Sequence, residues 1–198
     1  MNHHPKVAGV VLAGGRAVRM DHQDKGLVDF KGRPMVCFVI DALAPVVDSV
    51  YINANRSFEH YQQFGFPIIN DRTDSFDGPL AGVLATMMLV DAEVLLVIPC
   101  DSPFVTREHL KRLLTECLDN CCDAAVAFDG MKLHPVFFAV KTTLKANLQA
   151  YLASGQRKVA TWLEQLNLRR VDFSQEPAIF CNVNTPAELA ELEMSNGF

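Results

Sequence analysis

Apolar residues along this chain come in two rhythms. Short unbroken runs, rich in β-branched residues, occupy 7–13, 49–54, 67–69 and 94–98 and predict buried strands. Between them, apolar positions recur at three- and four-residue spacing, as on a helix with one buried face. Met35, Phe38, Val39, Ala42 and Leu43 form such a stripe over 34–43, with Pro34 suited to a first helical turn. A second helix begins at Pro79 and carries Leu80, Leu84, Met87 and Met88 on one face. Thr106 predicts an N-cap, with Glu108 and His109 in the first turn and Leu110, Leu113 and Leu114 on the buried side. Strands are then expected at 124–128 and 135–140, helices at 142–152 and 158–166, and closing strands at 169–173 and 179–183. Thr185 as cap and Pro186 as first residue start a last helix.

Strand–helix alternation over about the first 120 residues predicts right-handed βαβ units. The expected fold is α/β: a three-layer, Rossmann-like arrangement with a mainly parallel central sheet. Ligands of such sheets bind beyond the carboxyl ends of the strands. Gly14-Gly15, Asn53, Asp71 and Asp101 follow the apolar runs directly, so they are expected to carry the function.

The chain's 198 residues predict a single domain over 1–198 with a core that needs no disulfide or metal staple. A net charge of −5 excludes a basic footprint for nucleic acid or anionic lipid. Any phosphate must therefore be held by local devices. Cys37, Cys100, Cys117, Cys121, Cys122 and Cys181 show no CxxC pairs or zinc-finger spacing, and read as reduced thiols of a cytoplasmic protein. The apolar run at 7–13 is followed at once by glycines and charges, which favours a strand over a signal-peptide core. No stretch approaches the roughly 20 apolar residues of a membrane span, so a soluble, intracellular protein without membrane partners is expected.

The strongest chemical feature is Leu12-Ala13-Gly14-Gly15-Arg16-Ala17-Val18-Arg19-Met20, followed by Asp24-Lys25-Gly26-Leu27. Two glycines at a strand's end let the backbone turn and present bare N–H groups to an anion. Arg16, Arg19 and Lys25 add cations within the same loop, a combination suited to a triphosphate. Lys25 is followed by Gly26 and Leu27, not by Ser or Thr, which excludes a P-loop. No GxGxxG opens a helix here, which argues against a dinucleotide-dependent oxidoreductase. Asp101, after the strand at 94–98, is a natural Mg²⁺ anchor, though the same residue type could cap a helix before Ser102-Pro103. Asn53 and Asp71 end the second and third apolar runs, where their side chains can meet a ligand. Both residue types also form turns at strand ends.

These blocks resemble the molybdenum cofactor guanylyltransferases. The likeness runs from Leu12-Ala13-Gly14-Gly15, Arg19-Met20 and Asp24-Lys25-Gly26 through Gly32-Arg33-Pro34, Asn53-Ala54-Asn55-Arg56 and Asp71. It continues in Gly78-Pro79-Leu80-Ala81-Gly82, Pro99-Cys100-Asp101-Ser102-Pro103, His134-Pro135 and Asn182-Val183-Asn184-Thr185-Pro186. One departure is Asp21-His22-Gln23, where that family usually carries small residues, often glycines.

The resemblance implies a nucleotidyltransferase fold and transfer of GMP from GTP to the terminal phosphate of molybdopterin, with Mg²⁺ and release of pyrophosphate. It implies catalytic roles for Arg19, Lys25 and Asp101, with Asp101 as metal ligand and Asn184 as a candidate second ligand. Leu12, Ala13, Gly14, Gly15, Lys25, Asn53, Asp71 and Asp101 would bind GTP in an N-terminal part of the domain. Asn182 and Asn184 would face one side of a strand and bind pterin, with Arg157, flanked by Gln156 and Lys158, on its phosphate, in a C-terminal part. A molybdenum-pathway protein is an implied partner. Rival readings are a related CTP- or sugar-phosphate nucleotidyltransferase and a non-catalytic GTP-binding module.

Overall fold

The computed structural model describes residues 4–15, 24–71, 78–119 and 122–181. Nine strands and six α-helices are found among them. The apolar runs form β1 (Val7–Leu12), β4 (Ser49–Asn53), β5 (Ile68–Ile69) and β6 (Val94–Pro99), all parallel. They continue into β8 (Leu133–Lys141), β7 (Ala124–Phe128) and β9 (Leu168–Asp172) to give one seven-stranded sheet, ordered β5-β4-β1-β6-β8-β7-β9. β8 runs antiparallel to both neighbours, β6 and β7. Its amino end therefore lies at the edge where β6 and β7 end.

Alternation along the strands explains the three layers. Val94, Leu96 and Ile98 face a core shared with α1 (Met35–Leu43), α4 (Arg107–Asp119) and Tyr61 of α2 (Phe58–Gln62). Leu95 and Val97 face the other core, built with α3 (Pro79–Met87), α5 (Lys145–Ala153) and α6 (Val159–Leu163). At Gly9 an added Cβ would lie 2.8 Å from Leu43, so α1 packs directly on the backbone of β1.

Trp162, the chain's one tryptophan, is fully buried in the second core, and its indole N–H donates to Asn147 Oδ1 at 2.9 Å. Trp162→Ala should cost about 3–5 kcal/mol of stability, read by chemical denaturation followed by circular dichroism.

The structure adds elements that the apolar pattern does not announce. β2 (Asp29–Phe30) and β3 (Arg33–Pro34) form a small hairpin. Its turn residues Lys31 and Gly32 have φ of 52° and 80°, the type I′ geometry that suits a two-residue connection. Pro34 ends this hairpin, and α1 starts one residue later. Pro135 lies inside β8, where Val126 pairs with Phe138 but Ala127 pairs with His134. That bulge accommodates a residue without an N–H.

The expected strand at 179–183 is overturned over its described part. Pro177–Phe180 is a 3₁₀ turn, with Ile179 N–H donating to Glu176 and Cys181 N–H to Ala178. These local bonds use donors that a strand would send to a neighbour, while Ile179 reaches the core and Phe180 stacks on His134. Residues 182–186, with the expected last helix, lie outside the described residues.

The five cysteines among the described residues are free, and Cys100, Cys117 and Cys122 are buried. Cys121 lies outside them. Among the described residues no helix is long and apolar enough to cross a membrane.

Candidate active site

Four parallel strands end side by side, and their continuations form the walls of one cleft. Ala13 N–H donates to Asn53 O at 2.8 Å, Cys100 N–H to Leu12 O at 3.0 Å, and Ala54 N–H to Ile69 O at 3.0 Å. The backbone ladder thus carries on past the strands and sets Gly14, Asn55, Asp71 and Asp101 at one edge. The cleft there measures about 540 Å³. It is lined by Leu12, Ala13, Gly14, Gly15, Lys25, Asn53, Asp71 and Asp101. All eight candidate nucleotide residues therefore meet. Asp24, Gly78, Pro79, Pro99, Cys100 and Val136 complete the lining.

At one end Lys25 Nζ stands 3.2 Å from Asp101 Oδ2. Lys25 opens a 3₁₀ turn, Lys25–Leu27, closed by Leu27 N–H donating to Asp24 O. Asp101 follows the last residue of β6 by two. Its side chain is 12% exposed and that of Lys25 28%, so both groups keep contact with the cleft while being shielded from bulk water. The thiol of Cys100 next door is driven well above its ordinary range, by burial first and then by the carboxylates of Asp101 and Asp24. It stays protonated and is no nucleophile.

At the other end Asp71 is gripped from two sides. Asn53 Nδ2 donates to Asp71 Oδ1 at 3.0 Å and to Ile69 O at 3.1 Å. Asn55 Nδ2 donates to Asp71 Oδ2 at 2.8 Å, and Asn55 Oδ1 accepts from Asp71 N–H at 2.9 Å. Each carboxylate oxygen thus accepts one amide proton. A carboxylate has about four acceptor positions, so capacity for a ligand's donors remains.

The glycines of α3 and of the first loop serve this amide cluster. A Cβ on Gly82 would come within 2.1 Å of Asn53 Oδ1, and one on Gly14 within 2.8 Å of Asn55 Nδ2. What occupies the space of Gly82's missing side chain is Asn53. Gly78, with φ of 76°, makes the turn into α3. Around Gly15 an added Cβ would meet nothing within 4 Å.

Metal chemistry fits this donor set in one way. Among the described residues no group of three or more His, Cys, Asp or Glu side chains gathers. A preformed protein cage is absent there, whereas Mg²⁺ is commonly held by one or two carboxylates plus water and substrate phosphates. Asp101 beside a lysine suits that mode.

Other candidates fall elsewhere. Arg157 is exposed after α5, where its Nη1 donates to Leu152 O at 2.7 Å and Gln156 O at 2.8 Å. It does not line the cleft. Arg16, Arg19, the Asp21-His22-Gln23 departure, Asn182 and Asn184 lie outside the described residues. His134, near the same sheet edge, pairs with Asp129 Oδ2 at 2.7 Å and lies flat against Phe180 with ring centroids 3.5 Å apart.

Residue reasoning missed Asn55, Asp24, Arg56 and Tyr61 as parts of the site. Asn55, Arg56 and Asp24 stood inside the resembling blocks, a signal that was there to be used. Tyr61 carried none beyond its place in the unanticipated α2.

Comparison with known proteins shows the family and the fold. Residues 9–171 match the MobA-like NTP transferase domain. The molybdenum cofactor guanylyltransferase of Shewanella piezotolerans is 40% identical over 186 residues, covering 94% of this chain and 91% of that protein. That of Shewanella halifaxensis is 41% identical over 187 residues, covering 94% of each. Among solved structures, molybdopterin-guanine dinucleotide biosynthesis protein A from Archaeoglobus fulgidus superposes with a TM-score of 0.78 at 23% identity, covering 95% of this chain and 97% of that one. A CMP:2-keto-3-deoxy-manno-octonic acid synthetase complexed with CTP superposes at 0.73 with 15% identity, covering 96% and 97%. Those two likenesses concern the fold. The family match over most of the chain and the relatives near 40% identity go further: this chain belongs to the molybdenum cofactor guanylyltransferases, within the MobA-like NTP transferases.

Proposed function

We propose that this protein transfers GMP from GTP to the terminal phosphate of molybdopterin, releasing pyrophosphate. The observation that carries the reading is the meeting of all eight nucleotide candidates on one cleft, with a lysine–aspartate pair at one end and an amide-held carboxylate at the other. A nucleoside triphosphate has that polarity. Asp71 accepts the paired donors of guanine, held in plane by Asn53 and Asn55. Adenine lacks that donor pair, and so does cytosine. The Gly14-Gly15 backbone approaches the phosphates.

The reaction joins two polyanions, and their repulsion is the main obstacle. A phosphate monoester nucleophile is already ionised near neutral pH, so positioning and charge neutralisation suffice. Lys25 neutralises and orients the phosphates, with Arg19 as a further cation. Asp101 would hold Mg²⁺, which when bound would supply charge neutralisation for the phosphates. Arg157, Asn182 and Asn184 are assigned to the pterin side. A protein that hands over the labile pterin is the partner this chemistry asks for.

The test is incubation with Mg²⁺, molybdopterin and each of the four labelled nucleoside triphosphates in turn. GTP alone should give a pterin dinucleotide and pyrophosphate. Preferential use of CTP, or GTP binding with no pyrophosphate in the presence of molybdopterin, would overturn the reading.

A further inference from the structure

Tyr61 is a fully buried phenol that the transfer chemistry leaves unused. Its hydroxyl donates to Asp24 Oδ1 at 2.6 Å. Burial, followed by the neighbouring Cys100 and Asp24, pushes its ionisation far upward, so it remains a donor. The same hydroxyl also meets the next turn residue but one, lying 2.6 Å from where a Cβ on Gly26 would be. Cys100 closes the other side, with its Cβ 3.2 Å from that point. Both residues that flank Lys25 therefore rest against one side chain.

A lysine ammonium rides on a flexible four-carbon stem, and its placement depends on how firmly the backbone beneath it is held. Here the backbone is clamped from below. Asp24 is nearly buried, and its Oδ2 faces Arg56 Nε at 3.5 Å. Arg56 follows Asn55, the residue that grips Asp71. The segment after β4 and the helix it enters thus touch both ends of the cleft.

We propose that Tyr61 is a positioning residue for Lys25: its hydroxyl, bound to Asp24 and packed on Gly26, keeps the ammonium at Asp101. This rests on the role given to Lys25 above.

A double-mutant cycle tests it. Mg·GTP binding and guanylyl transfer are measured for the wild type, Tyr61→Phe, Lys25→Ala and the double variant, with unfolding followed by Trp162 fluorescence. Losing one hydrogen bond to a carboxylate should slow kcat about tenfold and weaken Mg·GTP binding about threefold. Both losses should vanish in the Lys25→Ala background, because there is no ammonium left to place. A structural defect would lower stability and persist there. No loss in Tyr61→Phe, or an undiminished loss on top of Lys25→Ala, overturns the proposal. If Tyr61→Phe fails to fold, Asp24→Asn and Asp24→Ala take its place. The asparagine still accepts the phenol proton and should keep most of the turnover that alanine loses, and equal losses refute the idea. The binding arm uses Mg·GTP without molybdopterin. A wild type that binds GTP yet makes no pterin dinucleotide would therefore sink the functional reading and leave the Tyr61 cycle to be judged separately.

Discussion

Lys25→Ala should slow guanylyl transfer by about 10²–10³-fold without unfolding the protein, and Asp101→Ala should do the same. The two groups sit 3.2 Å apart at one end of the cleft, each partly shielded from water. In such surroundings a charge aimed at a developing charge is worth more than in bulk solvent. Lys25 would neutralise part of the triphosphate charge, and Asp101 would hold the Mg²⁺ that offsets more of it, so each deletion leaves polyanion repulsion less opposed. Neither side chain belongs to either apolar core, so the thermal midpoint should move little in comparison with Trp162→Ala. Initial rates of pyrophosphate release at saturating GTP, beside a thermal melt, provide the check. Near-normal turnover in either folded variant would refute these roles.

Gly82→Ala should weaken GTP binding strongly, against the usual direction of such a change. In a helix interior, alanine is normally favoured over glycine by about 1 kcal/mol. Here its Cβ would stand 2.1 Å from Asn53 Oδ1. Asn53 is 3% exposed and cannot swing aside without releasing Ile69 O and Asp71 Oδ1. Leaving buried polar groups unpaired costs about 1–3 kcal/mol each, which outweighs the helical gain. Asp71 would lose one of the two amides that orient it. The expected outcome is a lower melting temperature together with at least about a tenfold rise in the Kd for Mg·GTP, equivalent to 1.4 kcal/mol. Unchanged affinity would mean that Asn53 does not orient the carboxylate for guanine.

Much of the candidate site could be read along the chain because its residues follow strands whose apolar runs are continuous. Gly14, Asn53, Asp71 and Asp101 each come within two residues of a strand's end. In a parallel sheet that position alone brings them to one edge. The supporting residues were harder to see. Asn55, Asp24, Arg56 and Tyr61 act through contacts between segments 16 to 37 residues apart, and a hydrogen-bond partner at that distance leaves no periodic trace. Gly82 shows the same limit. Its motif was visible, but its purpose depends on a side chain that β4 brings against α3.

Apolar periodicity decides local matters: which segments extend or coil, and which face each must bury, since burial of a repeating stripe is an energetic demand of the segment itself. It predicts strands at 7–13 and 94–98, and both form, as β1 and β6; that the two lie side by side is settled by the sheet. It does not decide how a short segment uses its backbone donors when two partners compete. At 179–183 a strand was expected, yet over its described part the chain ends a 3₁₀ turn, Pro177–Phe180, in which Ile179 reaches the core and Phe180 the face of His134. Likewise, that Lys25 meets Asp101 and that Asn53 meets Gly82 follow from packing between elements. Those meetings exist only once the layers have closed, because each contact is stabilised by atoms brought together from distant parts of the chain.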